Sequence, residues 1–300
     1  MDQRWYLRDD HGDLYLVGIL SGNLPHLRPA HHISGVGVGE HSSAVVAERV
    51  HPNLRINVTA TVYMLGGAFS GLNNYMPSML QGAITKGNTA VQVPYNNMGM
   101  FLNTVEAGAQ MADTYLHSGI GTKVWYGHSL GAVVGSYWLA HYGPTSSIEP
   151  ADLSFVFIGN SVSKYGGALG AESGAEWANW FTSAVQVPTD TPYIVTDIKR
   201  QYDGWTDYPT GTFSVDAFFN ALAGQNSVHP NYQTVNPSPT AAGNVSHTEG
   251  NITYIWSQTT PIPSLGTVWD SLVSGLDETL RPTIESAYNR PVTIPTPTYL

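Results

Sequence analysis

The stretch from Lys123 to Tyr142, KVWYGHSLGAVVGSYWLAHY, constrains this chain more than any other. Val124 to Tyr126 is a short apolar run of strand type, and Gly127-His128-Ser129-Leu130-Gly131 breaks it. Val133, Val134, Tyr137, Trp138 and Leu139 then recur at helical spacing. The pattern predicts a strand, a tight turn and a helix. A serine in such a turn holds a strained backbone and lifts its hydroxyl clear of the sheet, while Gly127 and Gly131 let strand and helix approach closely. In a chain with 31 glycines the pentapeptide alone can arise by accident, so the weight rests on the strand before it and the helix after it. Ser129 is the candidate nucleophile, set against the plainer reading of a structural turn serine.

The flanking sequence supplies the sheet that such a turn needs. Residues 56–65, INVTATVYML, form a β-branched apolar run that stops at Gly66-Gly67-Ala68, as a buried parallel strand does. Residues 72–83 read as a broken helix, Thr89 to Tyr95 as a second short strand, and residues 100–116 as a helix with a glycine stop behind it. After the serine helix come two more apolar runs, Leu153 to Ile158 and Tyr193 to Ile198. This alternation predicts an α/β fold, a mostly parallel sheet with helices on both faces, and with the serine turn it predicts the α/β-hydrolase architecture. Ile252 to Trp256 adds a late strand, and residues 267–288 a helix whose apolar face carries Trp269, Leu272, Val273, Leu276 and Leu280, with Pro282 kinking or restarting it.

In that architecture the acid follows a late strand and the histidine follows the acid. Asp203, next to Gly204, is the first choice for the carboxylate that orients the base, Asp207 is the alternative, and Asp197 falls within the strand. Of the 11 histidines only His229 and His247 follow these acids. His229 is preferred, because His247 sits in a polar connector, Asn244 to Thr248, that reads as a hairpin turn. His128 points away from the serine beside it and reads as a packing or cleft-lining residue. The amides of Gly67, after the first sheet strand, and Leu130, after the nucleophile, are the expected oxyanion hole, with an ordinary strand-end turn as the competing reading of Gly67.

Residues 1–55 differ from the rest and read as an accessory segment, so residues 56–300 form the catalytic unit. Arg4 to Leu7 and Leu14 to Val17 flank a polar turn and predict a small hairpin. His31, His32 and His41, near a glycine-rich run, lack fixed ligand spacing, and no metal or cofactor is expected. Trp177, Trp180 and Phe181 read equally as a lid or as core. The net charge of −10, with 12 Lys and Arg in 300 residues, argues against nucleic acid. No apolar run approaches the roughly 18 residues of a membrane-spanning helix, and the N-terminus shows no secretory h-region, so the expectation is a soluble chain whose localisation, extracellular, envelope-associated or virion-associated, stays open. With no cysteine, neither a disulfide nor a thiol nucleophile enters.

From about Thr59 to Arg290 the chain resembles the PE-PPE domain, a serine α/β-hydrolase family related to cutinase-like esterases. The resemblance is carried by Phe155 to Asn160 (FVFIGN), Thr196 to Pro209 (TDIKRQYDGWTDYP), Val228 to Tyr232 (VHPNY), Ile252 to Tyr254 and Leu280-Arg281-Pro282. It implies a Ser-His-Asp triad at Ser129, His229 and Asp203 acting on acyl esters, cell-envelope lipids among them, through an acyl-enzyme. Two features depart from many members: Gly-His-Ser-Leu-Gly stands where they resemble Gly-Tyr-Ser-Gln-Gly, and Ser257 to Pro261 carries no histidine where they have one. An acyltransferase using the same triad, and a catalytically silent binding or structural module of a virion or envelope, are the competing expectations.

Overall fold

The computed structural model describes residues 3–8, 14–20, 59–68, 70, 74–95, 102–170, 185–266 and 270–297. The chain divides into two compact units, Met1–Pro52 and Asn53–Leu300. In the first, β1 (Gln3–Arg8) and β2 (Leu14–Leu20) pair antiparallel with a register shift at Trp5/Tyr6, forming the expected hairpin. His31, His32 and His41, and the aromatic trio Trp177, Trp180 and Phe181, lie outside the described residues.

Among the described residues the second unit is built on seven strands. They are β3 (Thr61–Leu65), β4 (Thr89–Gln92), β5 (Lys123–His128), β6 (Leu153–Ile158), β7 (Ile194–Arg200), β8 (Asn244–Glu249) and β9 (Ile252–Ser257), in the order β4-β3-β5-β6-β7-β9-β8. All neighbours run parallel except the β8–β9 hairpin at one edge. The chain turns outward from β3 to β4 and then crosses to the other side of β3 as β5, so the order reverses between β3 and β5. Ligands of open α/β sheets lie at the carboxyl ends of the strands flanking such a reversal. Here those ends are Gly66-Gly67, after β3, and Ser129, after β5.

Strict alternation along the strands explains the two cores. Tyr63, Leu65, Trp125, Phe155, Phe157, Val195 and Trp256 point to one face, where they pack with residues of α1 (Leu102–Ser118) and α2 (Leu130–His141). Val62, Met64, Val124, Tyr126, Val156, Ile158, Ile198 and Ile255 point to the other, covered by a 3-10 segment, Met76–Gly82, and by Tyr232 and Val235. Tyr232 and Gln233 carbonyls accept from the Leu80 and Gln81 amides at 2.9 Å, which ties the 3-10 segment to the chain just past His229. The broken helix expected over 72–83 is therefore this 3-10 segment, split at Met79 to Gln81 by non-helical backbone.

Two further helices, α3 (Val215–Ser227) and α4 (Asp270–Glu285), pack around Tyr202, Ala217, Ile262, Leu265 and Ile284. Ser214 caps α3 by accepting from Ala217 N–H, worth about 1 kcal/mol. Helix α4 runs through Pro282 without restarting; Trp269 and the side chains of Leu272 and Val273 are outside the described residues. Two sequence expectations shift. Strand β7 continues to Arg200, because the Lys199 ammonium is buried against Ser163 Oγ at 2.5 Å and the Tyr165 carbonyl. Residues 244–249 are an edge strand and not a hairpin connector; a strand with one neighbour and few buried side chains carries little apolar signal.

Candidate active site

Strand β5 is buried along its whole length and ends at Ser129, whose backbone has φ +53° and ψ −113°. For a non-glycine residue this is a strained conformation, of order 1–3 kcal/mol, held only by surroundings that over-determine it. Those surroundings are specific. The Ser129 N–H extends the sheet to Ile158 C=O at 3.0 Å, and the Ser129 carbonyl accepts from Ala132 and Val133 at 3.0 and 3.1 Å to open α2. A side chain at Gly131 would overlap the Leu65 carbonyl, so only glycine lets α2 start this close to β3. The Leu130 N–H lies in the first turn of α2, among the donors that a helix start leaves without an intrahelical partner.

Asp203 follows β7 by three residues and is fully buried. Its carboxylate accepts from His229 Nδ1 at 2.9 Å, from the Tyr232 hydroxyl at 2.6 Å and from the Trp205 N–H at 3.0 Å. Burial pushes this carboxyl up, but the His229 ring and these hydrogen bonds outweigh it and hold it below the ordinary aspartate value. Tyr232 Oη also accepts from the Arg200 N–H at 3.1 Å, and burial drives its own pKa well up, so it remains a donor to the carboxylate. Two glycines let α3 deliver the imidazole: side chains at Gly204 and Gly224 would collide with the Ala221 and Tyr202 carbonyls. His229 then leaves the helix end with its N–H on Gly224 C=O at 3.0 Å.

The His229 ring lies over Gly159, the residue after β6, where a side chain would come within 2.8 Å of Cε1. Ser129 and His229 thus stand at the carboxyl ends of adjacent strands. Among the described residues no hydrogen bond joins Ser129 Oγ to His229. Asp207 and His247 are elsewhere. Asp207 accepts from Arg290 at 2.6 and 2.8 Å, from the Tyr202 N–H at 2.8 Å and from Trp256 Nε1 at 3.2 Å. His247 lies on edge strand β8, 3.4 Å from Glu249. Asp197 is in β7, buried, with burial raising its pKa.

The Gly67 amide has a side-chain partner. Its N–H, read as an oxyanion donor, points to Tyr75 Oη at 2.6 Å. The same hydroxyl is 2.6 Å from His128 Nδ1, and His128 Nε2 is 3.1 Å from the His229 carbonyl. His128 is buried, and burial, with the nearby His229 ring adding to it, takes its pKa down to about 3. Neither Tyr75 nor Tyr232 was assigned a role from sequence. Tyr232 lies within the VHPNY patch that carries the family resemblance, three residues past His229, whereas Tyr75 immediately precedes the 3-10 segment and has no motif around it.

The PE-PPE domain family matches residues 83–289, from the sequence before β4 to the end of the described C-terminal helix region. This chain belongs to the PE-PPE domain family. Among its relatives, Esterase PE16 of Mycobacterium tuberculosis is 29% identical over 257 residues, 79% of this chain and 46% of that protein. An uncharacterized PPE family protein of the same organism, PPE28, is 27% identical over 113 residues, 37% of this chain and 17% of that one. The PE-PPE chain described here therefore spans less than half the length of these curated relatives. Solved structures similar to it include a cutinase-like protein from Cryptococcus sp., at 16% identity and TM-score 0.39 over 59% of this chain and 87% of that one. Another is a metagenomic carboxyl esterase, MGS0156, at 13% identity and TM-score 0.37 over 77% and 74%. Among the described residues no helix is long and apolar enough to cross a membrane.

Proposed function

We propose that this PE-PPE domain is a serine hydrolase of carboxylic esters, with residues 56–300 as the catalytic unit and residues 1–55 as an accessory segment. The observation that carries the reading is a fully buried carboxylate held on His229 Nδ1, next to a serine whose backbone is strained at the end of a central strand. That combination has a chemical use. Asp203 fixes the imidazole with its proton on Nδ1, leaving Nε2 as the base, and offsets the positive charge the ring gains. As Ser129 Oγ attacks the ester carbonyl, His229 Nε2 takes its proton, the carbonyl π bond becomes an oxyanion, and the Leu130 N–H stabilises it. Collapse breaks the ester C–O bond and His229 returns the proton to the departing alcohol. Water, deprotonated by the same ring, then releases the acid. Catalytic hydrogen bonds in unliganded sites are commonly long and tighten with substrate, which accommodates the lack of a Ser129–His229 hydrogen bond among the described residues.

An ester substrate is supported by the relative named as an esterase. The test is labelling by a fluorophosphonate together with turnover of a short p-nitrophenyl ester. The expected result is modification of Ser129 and turnover in the wild type, and neither in Ser129→Ala with an unchanged fold. A wild-type chain that fails to label, or a Ser129→Ala chain that still turns over, overturns the proposal. Adding an alcohol acceptor separates hydrolysis from acyl transfer, since only the latter yields a new ester.

A further inference from the structure

Three loops meet at one hydroxyl that the proposed chemistry does not use. Tyr75 Oη accepts from Gly67 N–H in the loop after β3 and contacts His128 Nδ1 at the end of β5, each at 2.6 Å, and His128 Nε2 reaches the His229 carbonyl at 3.1 Å. The protons on this path can be assigned by elimination. A carbonyl oxygen only accepts, so Nε2 carries the hydrogen. A neutral ring protonated there has a bare Nδ1, which only accepts, so the Tyr75 proton points to it. The direction is then fixed from end to end, from Gly67 N–H to Tyr75 O–H to His128 Nδ1, and from His128 Nε2–H to the His229 carbonyl.

The surroundings keep the path neutral. Tyr75 faces the His128 ring edge-on at 5.5 Å, His229 lies at 5.1 Å and Tyr232 at 5.9 Å, with Asp203 behind His229 and, among the described residues, no acidic group bonded to His128 itself. Burial holds His128 unprotonated down to about pH 3 and raises the Tyr75 hydroxyl, so neither end ionises in ordinary buffers. The path also runs beside the nucleophile. A side chain on Gly67 would be 3.3 Å from Ser129 Cβ and 3.4 Å from Tyr75 Oη.

We infer that Tyr75 and His128 are positioning residues, an uncharged strut that sets the loop at Gly67, which borders Ser129, at a fixed distance from the main chain of the base His229. The inference rests on the serine-hydrolase reading above. Gly67 is thereby an anchor of the strut, not an oxyanion donor. The strut acts on geometry alone, so its loss shows in the rate of attack by Ser129 more than in substrate affinity; misplacement on the scale of 1 Å is worth about a hundredfold in rate.

The experiment compares wild type with Tyr75→Phe, His128→Phe and His128→Gln, measuring the fluorophosphonate labelling rate, and kcat and KM on a p-nitrophenyl ester, of protein verified as folded. Tyr75→Phe and His128→Phe are expected to lower labelling rate and kcat about ten- to a hundredfold with KM within about twofold. His128→Gln offers Oε1 to Tyr75 and an Nε2–H to the His229 carbonyl, and is expected to recover most of the loss. If Tyr75→Phe does not fold, the two His128 variants decide the matter. Wild-type rates in folded Phe variants, or a glutamine variant no better than the phenylalanine one, overturn the inference while leaving the hydrolase reading intact. A wild type that does not label at all removes both.

Discussion

Replacing Tyr232 by Phe tests the electrostatics of the buried acid most directly. The substitution removes one oxygen and leaves the aromatic packing of a fully buried ring. Two bonds go with it, the donation to Asp203 Oδ2 at 2.6 Å and the acceptance from Arg200 N–H at 3.1 Å. A hydrogen bond to a charged group is worth about 1.5–3 kcal/mol, and a stranded buried amide costs about 1–3 kcal/mol, so the variant should lose about 3–5 kcal/mol of stability at neutral pH. Losing the Tyr232 donor removes one of the bonds that hold the Asp203 carboxyl low, so its pKa should rise in the folded state. The sign of the pH effect follows. In the wild type the folded pKa lies below the unfolded value of about 3.9, so the contribution of Asp203 to stability is complete above that value and is lost as pH falls through the folded pKa. Raising the folded pKa shrinks that contribution, so Tyr232→Phe should lose less stability than the wild type on acidification, and the two stabilities, furthest apart at neutral pH, should converge as pH falls. Turnover should fall only about tenfold, because the His229–Asp203 bond remains, against about a thousandfold or more for Asp203→Asn. Urea unfolding from pH 3 to 7, with ester turnover at neutral pH, reads both effects. An unchanged acid limb together with wild-type turnover would refute this account of the site.

Asp207→Asn removes one of the two acidic partners of the nearly buried Arg290 guanidinium and should cost about 3–5 kcal/mol in denaturant unfolding, yet the folded fraction should still label at Ser129; loss of labelling in folded protein would make Asp207 the acid. Gly224→Ala drives a methyl into the Tyr202 carbonyl and should lower stability by about 1–3 kcal/mol and reduce turnover by shifting His229; a wild-type melting curve and rate would show that the close approach is not needed. His247→Ala, on the edge strand, should leave kcat within about twofold, and its abolition would reassign the base.

The parts legible in the sequence are those where chemistry and backbone constraint coincide locally. Ser129 is bracketed by a six-residue buried strand and a helix, and each leaves its own periodicity in the sequence. Asp203 and His229 were readable as an order, acid then histidine, and the fold joins them at 2.9 Å. What stayed hidden depends on long-range contact. Nothing near Tyr75 marks it as a neighbour of His128, 53 residues away, and Gly224 reads as an ordinary helical glycine until α3 is seen resting on the Tyr202 carbonyl. The apolar run of β7 ends at Ile198 in the sequence, which does not disclose that the Lys199 ammonium is buried with oxygen partners and that the strand goes on to Arg200. Strand β8 was misread for the opposite reason, since an edge strand needs almost no apolar side chains.

Arg290 closes the acid loop from far down the chain, gripping Asp207 through two nitrogens and Glu285 through a third. A polypeptide emerging from the ribosome exposes Ser129, Asp203 and His229 well before that guanidinium is made. Until it arrives, the Asp207 carboxylate has the Tyr202 N–H and Trp256 Nε1 as donors but lacks the guanidinium that it grips in the finished fold. A nascent chain stopped short of residue 290 would therefore carry Ser129, Asp203 and His229 together with the bonds between Asp203, His229 and Tyr232, but would lack the ion pairs that brace the segment around Asp207.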